Sequence, residues 1–136
     1  MTLGYGMIPV SLHFIKLDKS MSATIDSFVH ASCEVCRVGA PTLSQKEREP
    51  LLLQLPDWEL IEQDGVEQLQ RVFSFNSYGE GVAFTQEVAS IAEEQGHHPV
   101  IMLEWGKVTV RWWTHKINGI HKNDVIMAAK TERLNA

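Results

Sequence analysis

A chain of 136 residues has room for one domain with a real core and is short for two. Its composition, 44% hydrophobic, 21% charged and 8% aromatic, is that of an ordinary globular protein and excludes a disordered or fibrous class. The net charge of −5, with scattered basic residues, argues against a sequence-independent nucleic-acid binder, and no apolar run approaches the roughly 20 residues that span a bilayer. We therefore expect neither a nucleic-acid nor a membrane partner.

Residues 1–40 follow neither a 3.6 nor a 2.0 period, and we expect a loosely ordered N-terminal extension ahead of a domain over 41–136. The first twenty residues lack a basic n-region and an A-x-A cleavage signal, which argues against a secretory signal, and Met21 is an alternative start. Cys33-Glu34-Val35-Cys36 is a lone C-x-x-C. With no second pair it is half a metal site, so two surface thiols are the plain reading and redox or metal roles the alternatives. Two cysteines without an export signal fit a reducing, cytoplasmic setting.

Ser44 to Leu55 reads as a helix: Ser44 can cap it, Glu47 completes a capping box, and Leu51, Leu52 and Leu55 form an apolar stripe, with Pro50 as a defect. Two alternating runs, Trp58 to Gln63 and Val66 to Phe75, flank Asp64-Gly65 and predict a β-hairpin with a type I′ turn. Ser77 to Gln95 carries Val82, Phe84, Val88, Ile91 and Ala92 at helical spacing, and Gly96 stands where a helix C′ residue belongs. Val100 to Glu104 and Lys107 to Thr114 repeat the hairpin pattern around Trp105-Gly106. His121 to Leu134 closes the chain as a helix with Asp124 in its first turn. Two hairpins with helices before, between and after predict an α+β fold, a four-stranded antiparallel sheet carrying three helices on one face.

Four of the six histidines, His97, His98, His115 and His121, fall within 25 residues. Pro99 disfavours helical geometry at His98, and in extended chain successive side chains point to opposite sides. His97 and His98 therefore either flank a ligand or only one of them touches it. A helix-end histidine that merely suits the dipole is the plain alternative, and a three-histidine zinc site is another, disfavoured because adjacent residues rarely share a metal. Imidazole titrates near neutrality, so a metal-free acid–base site suits a reaction with proton movements at two atoms.

The run Glu93-Glu94-Gln95-Gly96-His97-His98-Pro99, the aromatic Trp105, Thr114-His115 and Asp124, at these spacings, resembles the pterin-4a-carbinolamine dehydratases. Trp58, Phe73 and Phe75 fit as well, "CEVCRVGAPTLS" looks like the N-terminal segment of bacterial members, and the likeness runs from about Cys33 to Glu132. The resemblance implies the fold derived above, a small-molecule pterin substrate, and dehydration of 4a-hydroxytetrahydropterin to quinonoid dihydropterin without metal or cofactor. His97, His98 and His115 would form the catalytic trio, with His98 and His115 the leading acid and base. Glu93 would orient an imidazole or contact the pterin, Asp124 would hold the site through a hydrogen bond, and Trp58 would shield the pocket. Pro99 and Thr114 complete the implied substrate-binding set. Alone, Asp124 reads as a helix-start charge, Glu93 as a solvated face and Trp58 as core. The resemblance also implies a homodimer or homotetramer, a link to aromatic amino-acid hydroxylation, and, as the alternative role, a dimerisation partner of a transcription factor. Two positions depart from the family pattern: His121 stands where Ser or Thr is common, and Lys116 where some members carry Glu.

Overall fold

Ser44 starts the helix that its sequence predicts. In the computed structural model, which describes residues 26–34 and 38–136, helix α1 spans Gln45–Leu52, and Ser44 and Glu47 form a reciprocal capping box. The Ser44 N–H and hydroxyl hold the Glu47 carboxyl below its ordinary value of 4.5. Depression means that the box stabilises the helix fully above that value and loses its contribution as pH falls through the lowered one. The helix stops three residues short of Leu55, which is instead buried in the core beyond a tight turn. Pro50 lies in its last turn, close enough to the end that the missing N–H costs a single hydrogen bond.

Strands β1 (Glu59–Gln63) and β2 (Val66–Ser74) pair antiparallel across Asp64-Gly65. Both turn residues have positive φ, 54° and 80°, the backbone a type I′ turn demands. Helix α2 runs Tyr78–Gln95 with Ser77 as N-cap; then β3 (Val100–Glu104) and β4 (Lys107–Trp112) form the second hairpin around Trp105-Gly106. Strand β4 ends two residues earlier than its alternation predicts. Thr114 instead makes an isolated bridge with Gly119, and His115–Ile117 form a 3-10 turn. Helix α3 spans Lys122–Leu134, one residue later than expected, because His121 is its N-cap.

The sheet order is β1-β2-β4-β3, so the second hairpin enters with its later strand against the first hairpin. Cross-strand pairing puts Leu60, Leu69, Phe73, Val108, Val110, Trp112, Ile101 and Leu103 on one face. That face packs against α2 through Phe84, Val88 and Ala92 and against α3 through Val125 to Ala129. α1 adds Leu51 and Leu52 at the margin and ties its Arg48 to Glu67 of β2. The protein is therefore α+β, a four-stranded antiparallel sheet with its helices on one face.

The residues ahead of α1 depart from the loosely ordered expectation where they are described. Residues 26–30 are helical, and Phe28, Ala31 and Cys33 pack against the core. Apolar residues too sparse to show a period still find a hydrophobic surface once the domain supplies one. Met21, the first twenty residues and Cys36 lie outside the described residues. Among the described residues, no helix is long and apolar enough to cross a membrane.

Candidate active site

The end of α2 places the histidine pair. Gly96 adopts left-handed backbone, φ 63°, with its N–H bonded to the Glu93 carbonyl, and the His97 N–H reaches back to the Ala92 carbonyl at 3.1 Å. This six-to-one bond is the mark of a Schellman motif, in which the residue after the glycine is locked to the helix it leaves. Nothing lies within 4 Å of where a Gly96 Cβ would stand, so backbone conformation, not space, asks for glycine. Pro99 keeps His98 extended and leads into β3. The pair diverges accordingly. His97 is 5% exposed and sends Nε2 inward, whereas the His98 side chain is 64% exposed and meets the Glu93 Oε1 at 2.9 Å.

The opposite wall comes from the exit of β4. In the β3–β4 register Val100 pairs with Arg111, so continuing the same antiparallel count brings His97 alongside Thr114. Thr114 then pairs with Gly119, and the intervening 3-10 turn, closed by Asn118 with φ 50°, lifts His115 and Lys116 to the surface beside His98.

Asp124 joins the two walls. It is completely buried and accepts from three donors: His97 Nε2 to Oδ1 at 2.7 Å, Thr114 Oγ1 to Oδ2 at 2.7 Å, and the His121 N–H to Oδ2 at 2.8 Å. The last contact is half of a capping box, the other half being His121 Nδ1 accepting from the Asn123 N–H. One carboxylate thus starts α3 and holds His97, and the helix start is intact with His in place of a hydroxyl residue. Every buried polar atom of Asp124, His97 and Thr114 is bonded, as a polar cluster sealed from water requires.

These residues frame a cavity of about 280 Å³ lined by Gly96, His97, His98, Thr114, His115 and Lys116. That is near the lower end of small-molecule sites, roughly 300–1,000 Å³. Two tryptophans back the imidazoles. Trp112 and Trp113, neighbours on an extended chain, face opposite ways, so Trp112 stacks on buried His97 with ring centroids 5.7 Å apart, and Trp113 stacks on exposed His115 at 4.3 Å. The Trp112 indole N–H in turn donates to Thr131 of α3. The chain of contact from α3 to Trp112 to His97 to Asp124 leaves the His97 ring one orientation.

Of the residues singled out in the sequence, His97, His98, Thr114 and His115 line the cavity, while Asp124 and Glu93 stand behind it, each bonded to one histidine. Glu93 orients the second imidazole of the pair, not the first. Pro99 shapes the backbone without lining the cavity. Trp58 is elsewhere: it is buried edge-on to Phe73, with its indole N–H donated to Glu132 at the far end of α3. Its shielding role is corrected to a core one, because β1 lies two strands away from the β4–β3 hairpin that carries the histidines. Sequence reading missed Trp112, Trp113 and Asn123. Strand alternation already separated the two tryptophans; nothing in the sequence marked Asn123. Among the described residues, no three His, Cys, Asp or Glu side chains converge in a way that would hold a metal ion.

The profile of the family described as Pterin 4 alpha carbinolamine dehydratase matches residues 41–134. Two curated relatives, each provisionally named pterin-4-alpha-carbinolamine dehydratase, are close. The one from Marinobacter nauticus is 59% identical over 103 residues, covering 76% of this chain and 93% of its own. The one from Nitrosococcus oceani is 56% identical over 102 residues, covering 75% and 90%. Among solved structures, a transcriptional coactivator/pterin dehydratase from Brucella melitensis superposes with a TM-score of 0.64 at 29% identity, over 71% of this chain and all of that one. A pterin dehydratase-like RuBisCO assembly factor of the alpha-carboxysome shares the fold, with a TM-score of 0.50 at 24% identity over 57% and 88%. The histidine cavity thus sits in a domain whose sequence and fold both have known relatives, and the chain belongs to the pterin 4 alpha carbinolamine dehydratase family.

Proposed function

We propose that the chain dehydrates 4a-hydroxytetrahydropterin to quinonoid dihydropterin and water, by histidine acid–base catalysis, in the recycling of tetrahydrobiopterin. The observation that carries this reading is the presentation of three imidazoles from two adjacent backbone segments around one small cavity. The N5 lone pair expels the C4a hydroxyl, so the departing oxygen needs a proton and the N5 proton needs an acceptor. His98 and His115, exposed at the rim, are placed to exchange those protons with a flat ring between them. His97, held by Asp124 and Trp112, supplies a fixed wall and hydrogen-bonding edge. Positioned acid–base groups contribute roughly 10² to 10⁴ in rate. The substrate is a product of pterin-dependent aromatic hydroxylation, which places a hydroxylase upstream. Formation of quinonoid dihydropterin, followed spectroscopically from freshly generated 4a-hydroxytetrahydropterin, is expected to accelerate in proportion to added protein. A rate equal to the uncatalysed background at micromolar protein would sink the reading.

A coactivator role is the second reading, favoured by the description of the Brucella melitensis neighbour. It makes no demand on the histidines, so a variant without His98 would keep partner binding while losing dehydration.

The protein is further proposed to associate with itself as a dimer or tetramer. β1 and β3 are open sheet edges among the described residues, and Val72 and Met102 are half-exposed on the sheet face without helices. Light scattering at micromolar concentration is expected to give a mass of at least two chains; a monomer mass would refute this.

A further inference from the structure

Two residues that face away from the cavity grip the segment ahead of the family-matched region. Gln95, the last residue of α2, accepts the Cys33 N–H on Oε1 at 2.8 Å. Asn123, in the first turn of α3 and completely buried, accepts the Glu34 N–H on Oδ1 at 2.8 Å and donates Nδ2 to the Glu34 carbonyl at 2.9 Å. The Asn123 amide therefore treats Glu34 as a neighbouring strand would, with both backbone groups engaged. Lys122 pairs with the Glu34 carboxylate, and Lys130 Nζ donates to the Val29 carbonyl at 2.8 Å, so the segment is held along α3 as well as across to α2.

The two gripping residues are sequence neighbours of the site. Gln95 lies two residues before His97, and Asn123 immediately precedes Asp124, so Cys33 and Glu34, adjacent on one backbone, bridge the two helix ends whose spacing sets the 2.7 Å contact between His97 and Asp124. A 103-residue match to the Marinobacter nauticus relative, within a chain of 136, begins at or before residue 34, so the similarity also reaches the strap.

We propose that residues 31–34 are a strap that positions His97 against Asp124, with Asn123 and Gln95 as its positioning residues, and that the functional domain begins with this strap, ahead of residue 41. The proposal rests on the cavity's being the dehydration site. Its physical content is that a hydrogen-bonded bridge across two helix ends restricts their relative displacement, and displacements on the order of 1 Å near a reacting centre cost up to ~10²-fold in rate.

The test uses the full chain and reads both dehydration kinetics and the His97 ring signal by NMR. Gln95→Ala, at a half-buried position that the core does not need, is expected to lower kcat about tenfold with KM within about twofold, and to shift the His97 ring resonance. Gln95→Glu keeps an acceptor for the Cys33 N–H and is expected to restore both. Asn123→Ser removes both contacts to Glu34 and is expected to act in the same direction more strongly. If Gln95→Ala leaves kcat and the His97 resonance unchanged, the strap is packing alone and the proposal falls, whether or not Asn123→Ser folds. A wild-type chain without dehydratase activity would overturn the functional reading, while the ring signal would still decide whether the strap positions His97.

Discussion

Asp124→Ala is expected to lower stability by roughly 3 kcal/mol or more and dehydratase turnover by at least about a hundredfold, the largest combined effect of any single change at the site. The reason is the number of donors that converge on one buried carboxylate. Its removal strands the His97 ring and the Thr114 hydroxyl away from water, at about 1–3 kcal/mol for each stranded group, and takes the acceptor from the half-buried His121 N–H. That last contact is the half of the α3 capping box that Asp124 supplies. Asp124→Asn separates the two consequences. The amide keeps the shape and one acceptor, so denaturant unfolding should register a smaller loss. Its NH₂ cannot accept, however: with the oxygen kept for Thr114 and the His121 N–H, the amide faces His97 as a donor and forces the ring into its other tautomer. We expect turnover to fall nearly as far as in the alanine variant, with the ring nitrogen signals of His97 exchanged. Full turnover in Asp124→Asn would show that His97 is not held for catalysis by this carboxylate.

His98→Ala is expected to do the reverse: a loss of turnover of at least about tenfold with no measurable loss of stability. The His98 ring is 64% exposed and its partner Glu93 84% exposed, and pairs in such a setting contribute about 0–1 kcal/mol. Thermal unfolding should therefore be unchanged, and the effect should fall on kcat. His115→Ala is expected to behave alike, since its ring rests on Trp113 at the surface. Wild-type turnover in both variants would remove the acid–base assignment. The contrast with Asp124 is a contrast of burial: the same cavity combines a buried, structurally costly hydrogen-bond centre with exposed imidazoles whose loss the fold tolerates.

How much of this was legible in the chain differs from residue to residue. The doublet after Gly96 and before Pro99 announced divergent rings, and they do diverge, because a Schellman terminator followed by a proline dictates local backbone whatever surrounds it. Both hairpins were legible from Asp64-Gly65 and Trp105-Gly106, since turn chemistry is local. The α1 boundary was not, because Leu55 belongs to the apolar stripe and yet reaches the core from a turn. Trp58 and Asn123 failed in opposite directions. A tryptophan with a polar edge suited a pocket wall equally well as a core, and an asparagine in a first helical turn looked like any other.

What the sequence by itself determined is what neighbours within one hairpin or one helix end set: the three helices and four strands from Ser44 onward, the caps at Ser44 and Gly96, and the two-residue turns. The order β1-β2-β4-β3, the meeting of Asp124 with His97 across 27 residues, the stacking of Trp112 on His97, and the docking of residues 26–34 were decided by the tertiary structure alone. The physical reason is that local backbone preferences act over a few residues, whereas these contacts exist only after one apolar sheet face has been buried under two helices. That burial brings α3 to the end of α2 and creates the surface on which the N-terminal segment rests.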